Sequence, residues 1–168
     1  MSTFLGQLYE SHHRLRRNAG DFVFVPERIP VFQEAVGQGH RVLDLGCRSG
    51  ALTRHFLNGN DVVVAGELLE HVRFPRALVA EVRRVLRLGG VFVGSVPNAF
   101  RVQNRLRFVR GLQPDKDPTH LHMFTPTDIR ALLADFTGVR ITPLGGRYRR
   151  LHARLLAQDI AFSAIRKA

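Results

Sequence analysis

The residue pattern predicts a three-layer α/β sandwich built on a mostly parallel sheet of about five strands, with helices over both faces. Three observations predict it. Short apolar, β-branched runs alternate with segments of helical periodicity from residue 40 onward. The runs are apolar at consecutive positions, as in Asp61-Val62-Val63-Val64-Ala65 and Val91 to Val96, so both faces of each strand need cover. Turn-forming residues punctuate the changes, as at Asn58-Gly59-Asn60, Gly89-Gly90 and Pro97.

Taken in order, residues 3–18 read as a helix with Phe4, Leu5, Leu8 and Leu15 near one side, broken by Asn18-Ala19-Gly20. A second helix runs from Glu27 to Val36, before Gly37-Gln38-Gly39. Together they form a leader, residues 1–38, expected to pack on the domain. Arg41-Val42-Leu43-Asp44-Leu45 is a short strand, and helical character resumes from Ser49 to Leu57. Asn58-Gly59-Asn60 reads as a strong stop, because these residues tolerate the left-handed conformation at a helix end. The β-branched strand from Asp61 to Ala65 follows it directly.

Pro75 sits at a first helical turn and opens a helix through Leu86, with Leu78, Val79, Val82, Val85 and Leu86 at i, i+3, i+4 spacing. Gly89-Gly90 closes it, and Val91 to Val96 is a third buried strand ended by Pro97. Residues 99–111 read as a helix in which Arg101, Arg105, Arg107 and Arg110 interleave with Val102, Leu106 and Val109. A polar loop from Gln113 to Thr119 comes next. Thr125-Pro126-Thr127-Asp128 has the form of a capping box, since the Thr hydroxyl and the Asp carboxylate can satisfy N–H groups left over at a helix start. That helix is expected to continue through Phe136. Two last strands, 139–144 and 159–166, flank a basic segment from Arg147 to Arg154.

A chain of 168 residues with 45% apolar content supports one continuous core and a single domain, residues 1–168. Its longest apolar stretches fall well short of the roughly 18 residues that a membrane span needs. The start MSTFLGQLYESHHRLRR lacks a signal-peptide core, so a cytoplasmic protein without a transmembrane segment is expected. Cys47 is the single cysteine, which excludes an internal disulfide and agrees with a reducing compartment. The formal charge of +11 rests on 23 Arg against 2 Lys and is spread along the chain. Such a balance favours anionic partners, among them acidic lipid surfaces, phosphorylated metabolites and nucleic acid, although solvated faces alone would also account for it.

The segment Asp44-Leu45-Gly46-Cys47-Arg48-Ser49-Gly50 follows a strand and opens a helix, where glycines admit a ligand to the backbone and free N–H groups face it. The ligand crevice is therefore expected at the carboxyl ends of strands 41–45 and 61–65. In this order, VLDLGCRSGALTRHFL, DVVVAGELLEHV, PRALVAEVRRVLRLGGVFVGSVPN and FTPTDIRALLADF resemble successive signature blocks of the class I S-adenosylmethionine-dependent methyltransferases. The resemblance implies a Rossmann-like sheet with an antiparallel C-terminal strand, a cofactor-binding half at residues 40–98 and a substrate-side half at residues 99–168. It implies S-adenosylmethionine as cofactor, with Asp44, Gly46, Cys47 and Gly50 around its methionine part and Gly66 and Glu67 lining the methyl-transfer pocket. The implied acceptor is a small or lipid-like molecule that attacks the sulfonium methyl, a displacement that needs proximity and a base.

Two departures from the family pattern bear on activity. Arg48 stands where the loop's middle glycine is usual, and a non-glycine residue at positive φ costs about 1 to 2 kcal/mol. Two strand-helix units that usually follow the first helix also look deleted, among them the acidic residue that grips the ribose. Losing two charged hydrogen bonds of about 1.5 to 3 kcal/mol each would weaken cofactor binding by about a hundredfold or more. Removing the two units makes strand 41–45 an edge with unpaired backbone groups, so either a homodimer through that edge or a cover by the leader is expected.

His71, beside Glu67 and Glu70, is a candidate catalytic base; hydrogen bonding of a helix start is its other reading. Arg101, Arg105, His120 and His122 are candidate substrate contacts. His120 and His122 alternate on an extended stretch, but with no cysteine or third ligand evident nearby no metal is expected. A truncated, non-catalytic association module and a basic RNA-binding or RNA-modifying domain are the alternative functions. Charge alone favours RNA, since no aromatic stacking platform stands out.

Overall fold

Consecutive apolar residues send side chains to both faces of a strand, and here both faces are covered. The computed structural model describes residues 27–37, 40–45, 59–114, 117–146 and 151–167. In chain order these form α1 (Arg28–Val36), β1 (His40–Asp44), β2 (Gly59–Gly66), α2 (Pro75–Val85), β3 (Val91–Pro97), α3 (Val102–Val109), α4 (Pro126–Leu132), β4 (Phe136–Leu144), α5 (Ala153–Leu156) and β5 (Asp159–Arg166). The five strands make one sheet in the order β1-β2-β3-β5-β4. The first three run parallel, and β5 is antiparallel to both its neighbours, so it alone is reversed. This is the sheet expected from the sequence.

The alternation along the strands divides the core in two. Val62, Val64, Val93 and Ala161 face Phe32 and Val36 of α1. Val63, Ala65, Phe92, Ile160 and Phe162 point the other way and pack with Val79 and Val82 of α2 and Ile129 of α4. Three layers result, with α1 on one side and α2 and α4 on the other. Phe92 is the centre of the larger cluster, its ring 5.2 Å from Phe162 and 6.0 Å from Phe136. Only glycine fits at position 94, because a Cβ there would meet the Ala65 carbonyl oxygen and the Phe162 ring, both at 2.5 Å.

Three boundaries differ from the sequence reading. Gly59 and Asn60, expected to stop a helix, open β2 and pair with His40 and Arg41 of β1. The irregularity falls at Asp61, whose φ of 99° shifts the register so that Val62 meets Val42. Tertiary pairing overrides the turn propensity there. The helix α4 ends at Leu132, and Phe136 begins β4 because its ring is buried against Phe92. Gly138, at φ 59°, takes up the offset near the start of that longer strand. At the end of the basic segment the short helix α5 was not foreseen. The helices expected at 3–18 and 49–57 and the loop residues Gly46, Cys47, Arg48 and Gly50 lie outside the described residues. Among the described residues β1 forms one end of the sheet, with Leu43 48% exposed.

Candidate functional site

At the carboxyl ends of β1, β2 and β3 the apolar strands give way to polar residues. Asp44 ends β1 opposite Val64, and the next amide, of Leu45, donates to the Val64 carbonyl at 2.8 Å. Gly66 ends β2 opposite Ser95. Glu67 follows in the left-handed region at φ 54°, a strained conformation for a residue with a side chain. Two bonds to Ser95 hold it there: the Glu67 amide donates to the Ser95 carbonyl at 2.9 Å, and the Ser95 hydroxyl donates to Glu67 Oε1, also at 2.9 Å.

Glu67 is one member of a buried ionic group. Arg28, at the start of α1, reaches Asp159 Oδ2 at 2.8 Å and Glu67 Oε1 at 3.0 Å. Burial works against the Arg28 charge, but Glu67 and then Asp159 outweigh it and raise its pKa further. Desolvation lifts Glu67 to about 7, with Asp159 adding to the rise and Arg28, the Ser95 hydroxyl and His120 opposing it. Asp159 is also raised, because burial exceeds the help it draws from Arg28 and Arg101. Three carboxylates share this cation, since Glu70 also feels Arg28; burial first and the Glu67 charge second hold Glu70 well above the usual carboxylate range. Glu70 is 1% exposed, and neither carboxylate oxygen has a hydrogen-bond partner among the described residues.

The loop after α3 closes over this group. The Leu121 and His122 amides both donate to the Glu70 carbonyl, at 2.7 and 3.2 Å. His71 lies edge-on to His120, with ring centroids 4.7 Å apart. Its Nδ1 faces the Thr119 carbonyl at 3.1 Å and the Thr119 hydroxyl at 3.2 Å. That hydroxyl donates to Asp117 Oδ1 at 2.6 Å, so both Thr119 oxygens present acceptors to His71 and Nδ1 carries the proton. His71 Nε2 then turns toward Glu70 Oε1, 3.9 Å away. His120 Nε2 lies 3.7 Å from Asp117 Oδ2.

The structure thus brings Glu67, His71 and His120 together and sets His122 apart, its ring 5.9 Å from Phe124. Arg101 adds its charge near Asp159, whereas Arg105 borders a separate cavity of about 490 Å³. Asn98, Phe100, Thr127, Arg130 and Ile160 also line that cavity. Arg28, Ser95, Asp117, Thr119 and Asp159 were missed by the sequence reading. Arg28 alone left a signal: it shares an i, i+4, i+8 stripe with Phe32 and Val36, the buried residues of α1.

Residues 58–137, which span β2 through the start of β4, match the family profile described as a methyltransferase domain. Over this segment, just under half of the chain, the sequence resembles the methyltransferase domain family. No curated protein sequence matches it. Among solved structures, it is similar to the 1,6-didemethyltoxoflavin-N1-methyltransferase of Burkholderia thailandensis, solved with 1,6-didemethyltoxoflavin and S-adenosylhomocysteine bound. That likeness has 18% identity and a TM-score of 0.67, over 98% of this chain and 87% of that one. A possible histamine N-methyltransferase of Thermotoga maritima aligns at 10% identity and TM-score 0.65, over 97% of this chain and all of that one. A SAM-dependent methyltransferase of Archaeoglobus fulgidus aligns at 16% identity and the same score, over 83% and 92%. At these identities the likenesses show the methyltransferase fold alone.

Proposed function

We propose that this methyltransferase binds S-adenosylmethionine in its 40–98 half and passes the methyl group to an apolar, negatively charged, lipid-like acceptor held by its 99–168 half. The residues in place suit the cofactor. Asp44 and Glu67 stand at the ends of paired strands β1 and β2, and the partly exposed Glu67 carboxylate offers a negative charge that favours a cation such as a sulfonium. Bound there, the cofactor supplies an electrophilic methyl group. The chain's own residues would orient and desolvate the acceptor, and Glu67 would accept a proton near neutral pH, helped by its pKa of about 7. His71 has its Nδ1 held by Thr119 and is the second candidate base.

One observation carries the choice of acceptor. Helix α3 presents Leu106, Phe108 and Val109 to solvent, with Leu112 just after it, and Arg105, Arg107 and Arg110 sit among them. Phe108 is 69% and Val109 82% exposed, a combination of apolar tips and cations suited to an anionic lipid interface. The cavity bordered by Phe100, Arg105 and Arg130 lies beside it. No helix among the described residues is long and apolar enough to cross a membrane, so contact would be peripheral.

The test is transfer of labelled methyl from S-adenosylmethionine into lipid and aqueous fractions of a cell extract. Label in the lipid fraction that falls at least about tenfold in Phe108→Ser/Val109→Ser supports the reading. Label confined to the aqueous fraction overturns it.

The second reading is a non-catalytic association module, favoured by the placement of β1 at one end of the sheet with Leu43 exposed. Sedimentation of wild type against Leu43→Glu distinguishes it: a dimer that the substitution separates, in a chain that binds no S-adenosylmethionine, would favour this reading over the first.

A further inference from the structure

The arrangement of Glu70, His71 and His120 raises a question that methyl transfer does not answer. If His71 carries its proton on Nδ1, as the two Thr119 oxygens require, Nε2 presents a lone pair to the Glu70 carboxylate. The two groups lie 3.9 Å apart in a largely buried space, and both Glu70 oxygens lack a hydrogen bond among the described residues. A buried carboxyl without a partner is satisfied by a proton or by a metal ion, and two imidazoles within ligand distance of it favour the metal ion.

We propose that Glu70, His71 and His120 are the protein ligands of a divalent metal ion of the zinc class. One ligand atom from each of the three lies within 4.8 Å of the others. Zinc bonds of about 2.0 to 2.2 Å to nitrogen and oxygen would draw them together by roughly an ångström, a movement within reach of side-chain rotation. Two imidazoles and one carboxylate select zinc, cobalt, iron or nickel over magnesium, which prefers oxygen ligands and keeps its water. Three protein ligands leave a position where a hydroxyl or amine of an acceptor could bind and lose its proton.

The surroundings already have the form of an outer ligand shell. The Thr119 carbonyl orients His71 through Nδ1, and the Asp117 carboxylate stands 3.7 Å from His120 Nε2. Asp117 is in turn fixed by the Thr119 amide at 2.9 Å and the Thr119 hydroxyl at 2.6 Å. The Glu70 carbonyl accepts from the loop that delivers His120, so ligands distant in sequence are held to one another through the backbone. The remaining ionic neighbours of Glu70 are Glu67, Arg28 and Asp159, which include more negative than positive charge.

The test uses the full chain stripped with a chelator and titrated with cobalt(II) and zinc(II), without cofactor or acceptor. A single equivalent of cobalt is expected to bind with the visible absorption bands of imidazole coordination, to be displaced by zinc at micromolar concentration, and to persist in millimolar magnesium. Glu70→Gln and His120→Ala should each weaken zinc binding by about a hundredfold or more, and Asp117→Asn by about tenfold, whereas His122→Ala should leave it unchanged. Circular dichroism confirms that each variant is folded, and His120→Ala, the more exposed change, serves if Glu70→Gln unfolds. Absence of cobalt bands in the folded chain, or zinc binding that both ligand substitutions leave intact, overturns the proposal. Because only metal uptake is read, this result is independent of whether methyl transfer is found.

Discussion

Val62 to Ala65 and Phe92 to Val96 are buried along the middle of β2 and β3, and all but Ser95 are apolar; only a few residues further on, Glu67, Glu70 and Asn98 sit among polar partners. The apolar stretch gains free energy from burial itself, with no need for particular partners. The polar end loses free energy on burial and recovers part of it through specific pairs, Arg28 with Asp159 and Glu67 above all. One region therefore supplies stability and tolerates similar replacements. The other tolerates almost none, and it is where a ligand has unmet charge to address.

Removing a partner from each region should separate the two roles. Arg28→Met leaves Asp159 and Glu67 without their cation, and urea unfolding is expected to show a loss of about 3 to 5 kcal/mol. Adding Asp159→Asn should restore part of that loss, since it removes one stranded charge. Phe92→Ala opens a cavity between Phe136 and Phe162 and should lower stability by a similar or slightly smaller 3 to 4 kcal/mol, roughly. Calorimetric titration below the unfolding temperature then discriminates: the Arg28 variant is expected to lose affinity for S-adenosylmethionine, whereas the Phe92 variant keeps it within about twofold.

The polar end should also show in the pH dependence. Glu67 titrates at about 7 in the fold against 4.5 ordinarily, so the folded chain holds that proton more tightly than the unfolded chain does. Its contribution is complete below the ordinary pKa and is lost as pH rises through about 7, at most about 3 kcal/mol and less to the extent that solvent reaches the side chain. In Glu67→Gln, urea midpoints measured between pH about 5 and about 8 should fall less steeply than in the wild type. The smallest effect is expected at an exposed helix start outside the ionic group. Thr125 caps α4 by accepting from the Asp128 amide at 3.1 Å, and Thr125→Ala should lower the melting temperature in keeping with a loss of about 1 kcal/mol, with cofactor affinity unchanged.

The same contrast governs how much could be read from the residues alone. Periodicity and turn residues are local, and they located β3, α2 and the capping box at Thr125 to within about a residue. They failed where distant pairing decides the boundary, as at Gly59-Asn60 against β1 and at Phe136 against Phe92. In the candidate site, Asp44, Glu67 and His71 were legible because a short motif carries them. Arg28 and Asp159 were not, since 131 positions separate them and one arginine among 23 bears no mark of its partner. The stripe shared with Phe32 and Val36 is the exception, because an arginine in line with buried residues must find counter-charge inside. His120 was singled out but not grouped, as its neighbour Glu70 is set by the loop closure and by no sequence spacing.

The pair of amides that donate to the Glu70 carbonyl ties the loop after α3 to the end of β2. A loop fastened in this way cannot swing clear one residue at a time; Leu121 and His122 leave together or stay together. Their amide protons are therefore expected to exchange with solvent at one shared rate set by opening of the loop. A ligand bound against this loop is expected to slow both, whatever its chemistry.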